Sequence, residues 1–205
     1  MRELLGHFAL LNRASGKEER AELYSQIDAK NLSDFTRYWR PMVAERLSQL
    51  PRGATPADAN LQDWHWDWAQ KAEVFTGRLA YRSFALEHAD RTQGLMVCSL
   101  VRRVREKSRL NQHLVYIEFV QTAPWNNRHY TTTPVYKGVG NTMVAAAISL
   151  SLEEEFEGRI GLHSLPQSEA WYREYCQMTD LGVDDQYQGL RYFEMTSEQA
   201  ARFLK

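Results

Sequence analysis

The chain has 205 residues, with 25 Lys and Arg against 26 Asp and Glu, a formal net charge of -1 and 43% hydrophobic residues. That apolar content excludes a disordered polypeptide and is enough for a full core. The balanced charge excludes a global pull toward nucleic acid or an anionic membrane surface, so neither partner is expected.

The opening segment, Met1 to Leu11, has a short apolar run and an early acid, Glu3, which does not fit a secretory signal. No run approaches the length of a membrane span. Cys98 and Cys176 lie far apart with no Cys-x-x-Cys spacing, so buried free thiols in a reducing compartment are expected rather than a metal site. A cytoplasmic protein follows as the expectation, and the length predicts one domain over 1–205.

In chain order, Lys17 to Ile27 is polar and rich in helix formers and predicts a surface helix. Ser33 is a plausible cap for a second helix, in which Phe35, Tyr38, Trp39, Met42, Val43 and Leu47 recur at helical spacing. Pro41 should kink that helix or start a new one. Residues 1–60 thus form a helical N-terminal segment. The stretch Pro51 to Ala59, with Gly53 and Pro56, is a loop. Trp64, Trp68 and Ala72 then share one helical face before Gly77.

From Leu79 the period changes. Leu79–His88 and Leu95–Arg102 are β-like runs joined by a hairpin at Asp90–Gly94. A basic loop over Arg102–His113 reads as solvated and too poor in aromatics for nucleic acid. An apolar strand follows, His113 to Gln121, then a loop ending in Tyr136-Lys137-Gly138-Val139-Gly140-Asn141-Thr142. A helix over Asn141–Phe156 and a strand over Arg159–His163 come next, and the chain closes with a strand over Leu190–Met195. Thr196-Ser197-Glu198-Gln199 is a capping box opening a C-terminal helix. The order predicts a mixed, mostly antiparallel α/β sheet flanked by helices.

A glycine-bearing loop between a strand and a helix start is a phosphate cradle in outline: glycine lets the backbone approach, and free helix N–H groups face an anion. With its flanks, the segment resembles the GNAT acetyltransferase superfamily. Val120-Gln121-Thr122-Ala123-Pro124 is similar to the family's central strand end, and Val135 to Gly140 to its pyrophosphate loop. Ser168 to Met178 looks like its later helix, which carries a tyrosine near the CoA sulfur. The resemblance covers 77–195. Val135 stands where the family has Arg or Gln, the Trp125–Pro134 insert is longer than usual, and Gln177-Met178 replaces a Gly-Phe with a one-residue shift.

The resemblance implies an N-acetyltransferase that moves an acetyl group directly from acetyl-CoA to a primary amine, without a metal. The alternative is a GNAT-like module that holds CoA or regulates without turnover. The acceptor, a small molecule or a peptide, is not legible, and a homodimer stays open. Implied CoA contacts are Val120, Gln121 and Thr122 along the pantetheine arm and Lys137, Gly138, Val139, Gly140, Asn141 and Thr142 at the phosphates. Asn141 and Thr142 are read as helix caps or phosphate donors.

Two catalytic candidates follow. Glu118 is a carboxylate in an apolar strand, where burial raises a pKa and suits a general base. Strict alternation would put it on one face with Tyr116 and Val120, with Ile117 and Phe119 opposite. Tyr172 is the expected general acid toward the thiolate, with Tyr175 the competing position. His163 is a second base candidate; Trp64–Trp68 and the Trp125–Tyr130 insert are candidate acceptor walls, the first more simply explained by helix packing.

Overall fold

The computed structural model describes residues 2–205. One nine-stranded sheet runs through it. Its strands are β1 (Leu4–Asn12), β2 (Glu18–Ser25), β3 (Tyr81–His88), β4 (Arg91–Ser99), β5 (Val115–Thr122), β6 (Tyr136–Lys137), β7 (Ile160–Ser164), β8 (Thr179–Asp184) and β9 (Leu190–Met195). They lie in the order β6-β1-β2-β3-β4-β5-β7-β9-β8, and every pairing is antiparallel except β5 with β7. The helices are α1 (Ala29–Asp34), α2 (Arg40–Ser48), α3 (Trp68–Phe75), α4 (Val139–Glu153) and α5 (Ser197–Phe203).

The expected mixed, mostly antiparallel sheet is therefore present, but its start is not helical. Lys17–Ile27 is mostly strand. Ala21 and Leu23 are buried against the sheet while Arg20 and Glu22 point away, a period of two that the helix-forming composition masked. Pairing with β1 and β3 on both sides overrides propensity here. The first helix is capped by Asp28, not Ser33, in a reciprocal box with Asn31. A π-turn over Phe35–Trp39 then joins it to α2, and Pro41 falls directly after that turn, at the start of α2.

Two apolar layers cover the sheet. On one face α4 buries Met143, Val144, Ala147 and Ile148 against Leu86, Met96, Cys98, Val115, Ile117 and Leu162. On the other, Phe35, Trp39 and Trp68 pack on Ala85, Leu95 and Val97. Truncating a core side chain such as Ile148 to Ala is worth about 2–5 kcal/mol. Gly94 lets α4 settle on β4: a Cβ there would lie 3.0 Å from Val139 Cγ1.

Polar anchors fix the second layer. Asn31 donates to Glu87 Oε1 (2.7 Å) and Thr92 Oγ1 (2.9 Å), and Thr92 donates to Asp34 through both its N–H and its hydroxyl. Both cysteines are buried and free. The Asp90 hairpin is tight, with Ala89 and Asp90 both at positive φ (49° and 58°), as a two-residue turn requires. The Thr196–Gln199 capping box is present. No helix among the described residues is long and apolar enough to cross a membrane.

Candidate active site

The sheet opens where its one parallel pair ends. β5 and β7 share only the rungs Val115–Ile160, Tyr116–Gly161 and Ile117–Leu162. The next residue, Glu118, is a bulge: Ile117 pairs with Cys98 and Phe119 with Val97, so Glu118 has no partner on β4. An extra residue bends a strand and reverses its alternation. Ile117 therefore faces α4, whereas Phe119 joins the opposite layer and Val120 returns to the α4 side. Strict alternation thus misplaces the residues on either side of Glu118. Beyond Ile117 the edge of β5 facing β7 is unpaired, and its main-chain groups are free to bond an extended ligand.

A cavity of about 1030 Å³ fills this gap and crosses the sheet, from the N-terminus of α4 on one side to α3 and the 126–129 segment on the other. Of the sequence-predicted residues, Glu118, Val120, Gln121, Thr122, Lys137, Gly138, Val139, Gly140, Asn141 and Tyr172 all line it. Thr142 does not. Its hydroxyl donates to the Gly138 carbonyl at 3.1 Å and the residue is buried, so it serves the helix and faces no ligand.

Gly138 precedes α4 at φ +109°, a left-handed value that any side chain would strain, and no side chain caps the helix. Asn141 is not a cap either; it donates to the Tyr175 hydroxyl at 2.5 Å. The first helical bond is Thr142 N–H to Gly138, so the N–H groups of Val139, Gly140 and Asn141 lie at the open end of the helix. Val139 offers only that main-chain group, since its side chain is buried in the core. Lys137 and Arg13 add positive charge at this end. Arg13 carries no sequence signal; pairing of β1 with β6 brings it here, next to Val135, whose carbonyl accepts from Arg13 N–H at 2.9 Å. The arrangement suits a polyphosphate.

At the middle of the cavity, burial raises the Glu118 pKa, and Arg102, 3.7 Å away, partly opposes the rise. Burial also raises Tyr172, which keeps its phenol protonated. Tyr172 packs on Trp171 and Phe193 at 5.0 and 6.0 Å. Tyr175 is half exposed and tied to Asn141, so it belongs to the α4 end.

His163 bonds Tyr116 through Nδ1 (2.6 Å) and Asp184 through Nε2 (3.0 Å), and stacks on Tyr187 at 3.9 Å. Arg105 pairs with Asp184, and with His163 holds its carboxyl down to about 2. Two arginines of the basic loop therefore turn back to the site, against the expectation of a solvated loop. They were missed because their partners sit on β5 and on β8, a strand that was not anticipated.

The far wall is a buried polar web. Asp63 accepts from Gln121 Nε2 (2.7 Å), the Tyr130 hydroxyl (2.8 Å) and Gln167 Nε2 (2.9 Å), while Trp68 Nε1 donates to Gln121 Oε1 (2.6 Å). Gln121 is thus a wall residue whose side chain is committed to protein partners. The Trp64–Trp68 motif divides: Trp68 is core, Trp64 is exposed, and His65, Trp66 and Asp67 line the cavity. From the insert, Asn126, Asn127, Arg128 and His129 line it, while Trp125 packs on Trp39 at 6.3 Å. No group of three or more metal-ligating side chains occurs among the described residues.

No protein-family profile matches the chain. No curated protein matches it by sequence. Solved structures do match. A protein of uncharacterised function from Bacillus halodurans aligns at TM-score 0.57 and 8% identity, covering 98% of this chain and 95% of that one. FeeM, an N-acyl amino acid synthase from uncultured soil microbes, aligns at 0.54 and 8%, covering 89% and 95%. A protein from Desulfovibrio desulfuricans assigned to the GNAT acetyltransferase family aligns at 0.51 and 10%, covering 86% and 99%. The chain has a GNAT-like fold.

Proposed function

We propose that this chain is an N-acyltransferase that moves an acetyl group from acetyl-CoA to a primary amine. The observation that carries the reading is the β5–β7 gap, with free helix N–H groups and two cations at one end and a partly buried carboxylate at its middle. GNAT-like folding of the chain supports acyl transfer in general. A CoA-holding module without turnover is the weaker account, since a polyphosphate site alone would not call for a half-buried acid beside the unpaired strand edge.

In this reading the pyrophosphate sits on the N–H groups of Val139, Gly140 and Asn141, with Lys137 and Arg13 beside it. The pantetheine arm runs along the free edge of β5 from Glu118 to Thr122. Glu118 takes a proton from the acceptor ammonium, directly or through a water. The freed amine attacks the thioester carbonyl, whose developing oxyanion is stabilised by a main-chain N–H of the β5 edge. Collapse forms the amide and expels the thiolate, which takes the Tyr172 proton, and the second proton leaving the former amine nitrogen restores the phenol.

Two measurements test this. Calorimetry should show CoA binding, and purified protein should release free thiol from acetyl-CoA only when an amine is present. Binding without amine-dependent release under any acceptor would leave the module account standing, and absence of CoA binding would overturn both.

A further inference from the structure

Lys71 on α3 is a cavity-lining cation whose setting the acyl-transfer chemistry does not explain. Arg13 and Lys137 stand at the phosphate end, and His163 is bonded on both ring nitrogens. The Lys71 ammonium instead lies 3.3 Å from the centre of the Phe119 ring and 4.7 Å from that of Trp66. It makes no ion pair within 4 Å among the described residues, although carboxylates stand nearby. Asp67, one turn earlier, caps α3 through the N–H groups of Ala69 and Gln70 and pairs with Arg40 at 3.5 Å. Asp63 is held by three donors of its own.

An ammonium half removed from water, with ring faces in contact and no carboxylate within ion-pair distance, is incompletely compensated. Burial accordingly lowers its pKa to about 8, with the Asp67 charge partly opposing the shift. Such a group gains from an anion delivered by a ligand. Its position says which ligand: Phe119 directly follows Glu118, so the cation and the proposed base are adjoining features of one cavity wall. An amine placed at Glu118 would have Lys71 on the same wall to receive an anion of its own, and the Trp66 and Phe119 rings would border its side chain.

We propose that Lys71 is the anion-binding group of an acceptor subsite, and that the acceptor is an amine that also bears a carboxylate, of the amino-acid class. The inference rests on the acyltransferase reading and narrows its substrate.

The test uses the full chain with acetyl-CoA and matched acceptor sets: leucine, phenylalanine and tyrosine, each with its carboxamide and its decarboxylated amine. The wild-type chain should favour carboxylate-bearing acceptors. Lys71→Gln should reduce the ratio of kcat/KM for acid over neutral amine by about 10- to 100-fold, the range for a hydrogen bond to a charged group. Lys71→Arg should restore most of that ratio. Equal use of neutral and carboxylate-bearing amines, or an unchanged ratio in Lys71→Gln, would overturn the subsite while leaving acyl transfer in place. Acetylation of Lys71 itself, found by mass spectrometry after incubation with acetyl-CoA alone, would make it an acceptor and overturn the subsite as well. Absence of thiol release with every amine tested, together with no calorimetric CoA binding, would remove the acyltransferase reading and this inference with it.

Discussion

The Tyr116 hydroxyl lies 2.6 Å from Nδ1 of His163, at the point where β5 and β7 part. The direction of this bond follows from the other side of the ring. Asp184 is held ionised by Arg105 and His163, so it can only accept, and His163 Nε2 must carry the proton it donates. Nδ1 of the neutral ring is then an acceptor, and Tyr116 donates to it. An Asp184–His163–Tyr116 chain with fixed hydrogen-bond direction thus braces the mouth of the gap.

That chain predicts a pH dependence of stability. Burial, with Arg105 and Arg102 also nearby, lowers the His163 pKa, while Asp184 partly opposes the shift. A folded-state pKa below the unfolded value of about 6.5 means the native state resists protonation. The contribution is complete above about pH 6.5 and is lost as pH falls through the lowered value. Urea midpoints should decline as pH falls below about 6.5, and His163→Asn should flatten that decline while costing about 1–3 kcal/mol at pH 8. An equal decline in the variant would assign it to His129, which burial also lowers.

The phosphate end makes a prediction that separates two glycines. Gly138 sits at φ +109°, so Gly138→Ala should lose about 1–3 kcal/mol of stability through backbone strain. Gly140 has no such φ, and its added Cβ would only touch Trp171 at 3.5 Å. Gly140→Val should keep a near-normal melting temperature and weaken CoA binding about tenfold or more, because its bulk stands over the helix N–H groups. Thermal melts beside calorimetry decide. A folded Gly140→Val with wild-type CoA affinity would move the phosphates elsewhere.

The two tyrosines of the 171–175 turn should behave differently. Tyr172→Phe removes a buried phenol on the cavity and should lower kcat by roughly 10²–10⁴ with CoA affinity nearly unchanged. Tyr175→Phe breaks the bond from Asn141, so its effect should fall on CoA affinity. Steady-state kinetics with calorimetry on both variants checks the division, and reversed effects would exchange the roles.

How much of this was legible depends on whether local pattern or distant pairing decides each residue. From Tyr81 onward strand alternation, the small-residue helix and the Thr196 box carry their own signals, and these elements form close to where the sequence places them. The N-terminal hairpin was missed because charges on its outer face mimic a helix, and only its neighbours in the sheet settle the matter. Glu118 was legible as an acid within an apolar strand, but its bulge was not, since one extra residue leaves no mark in composition. Arg13, Lys71, Arg102 and Asp184 are ordinary surface types in the sequence. They become site residues only through contacts that span the fold.

The Glu118–Arg102 pair carries the last prediction. Burial raises the Glu118 pKa, and the guanidinium 3.7 Å away partly opposes that rise. If Glu118 is the base, kcat/KM should climb with pH through the raised pKa, because only the carboxylate accepts a proton. Glu118→Gln keeps the shape and should abolish that limb with a large loss of rate. Removing the opposing charge works the other way: Arg102→Gln should move the limb to higher pH, since nothing then holds the carboxyl down. A titrating acceptor amine also gives a rising limb, but its position depends on the amine and not on residue 102. A limb that stays in place in Arg102→Gln, or survives in Glu118→Gln, would transfer the proton to the acceptor's own solution chemistry or to the Tyr116–His163 chain.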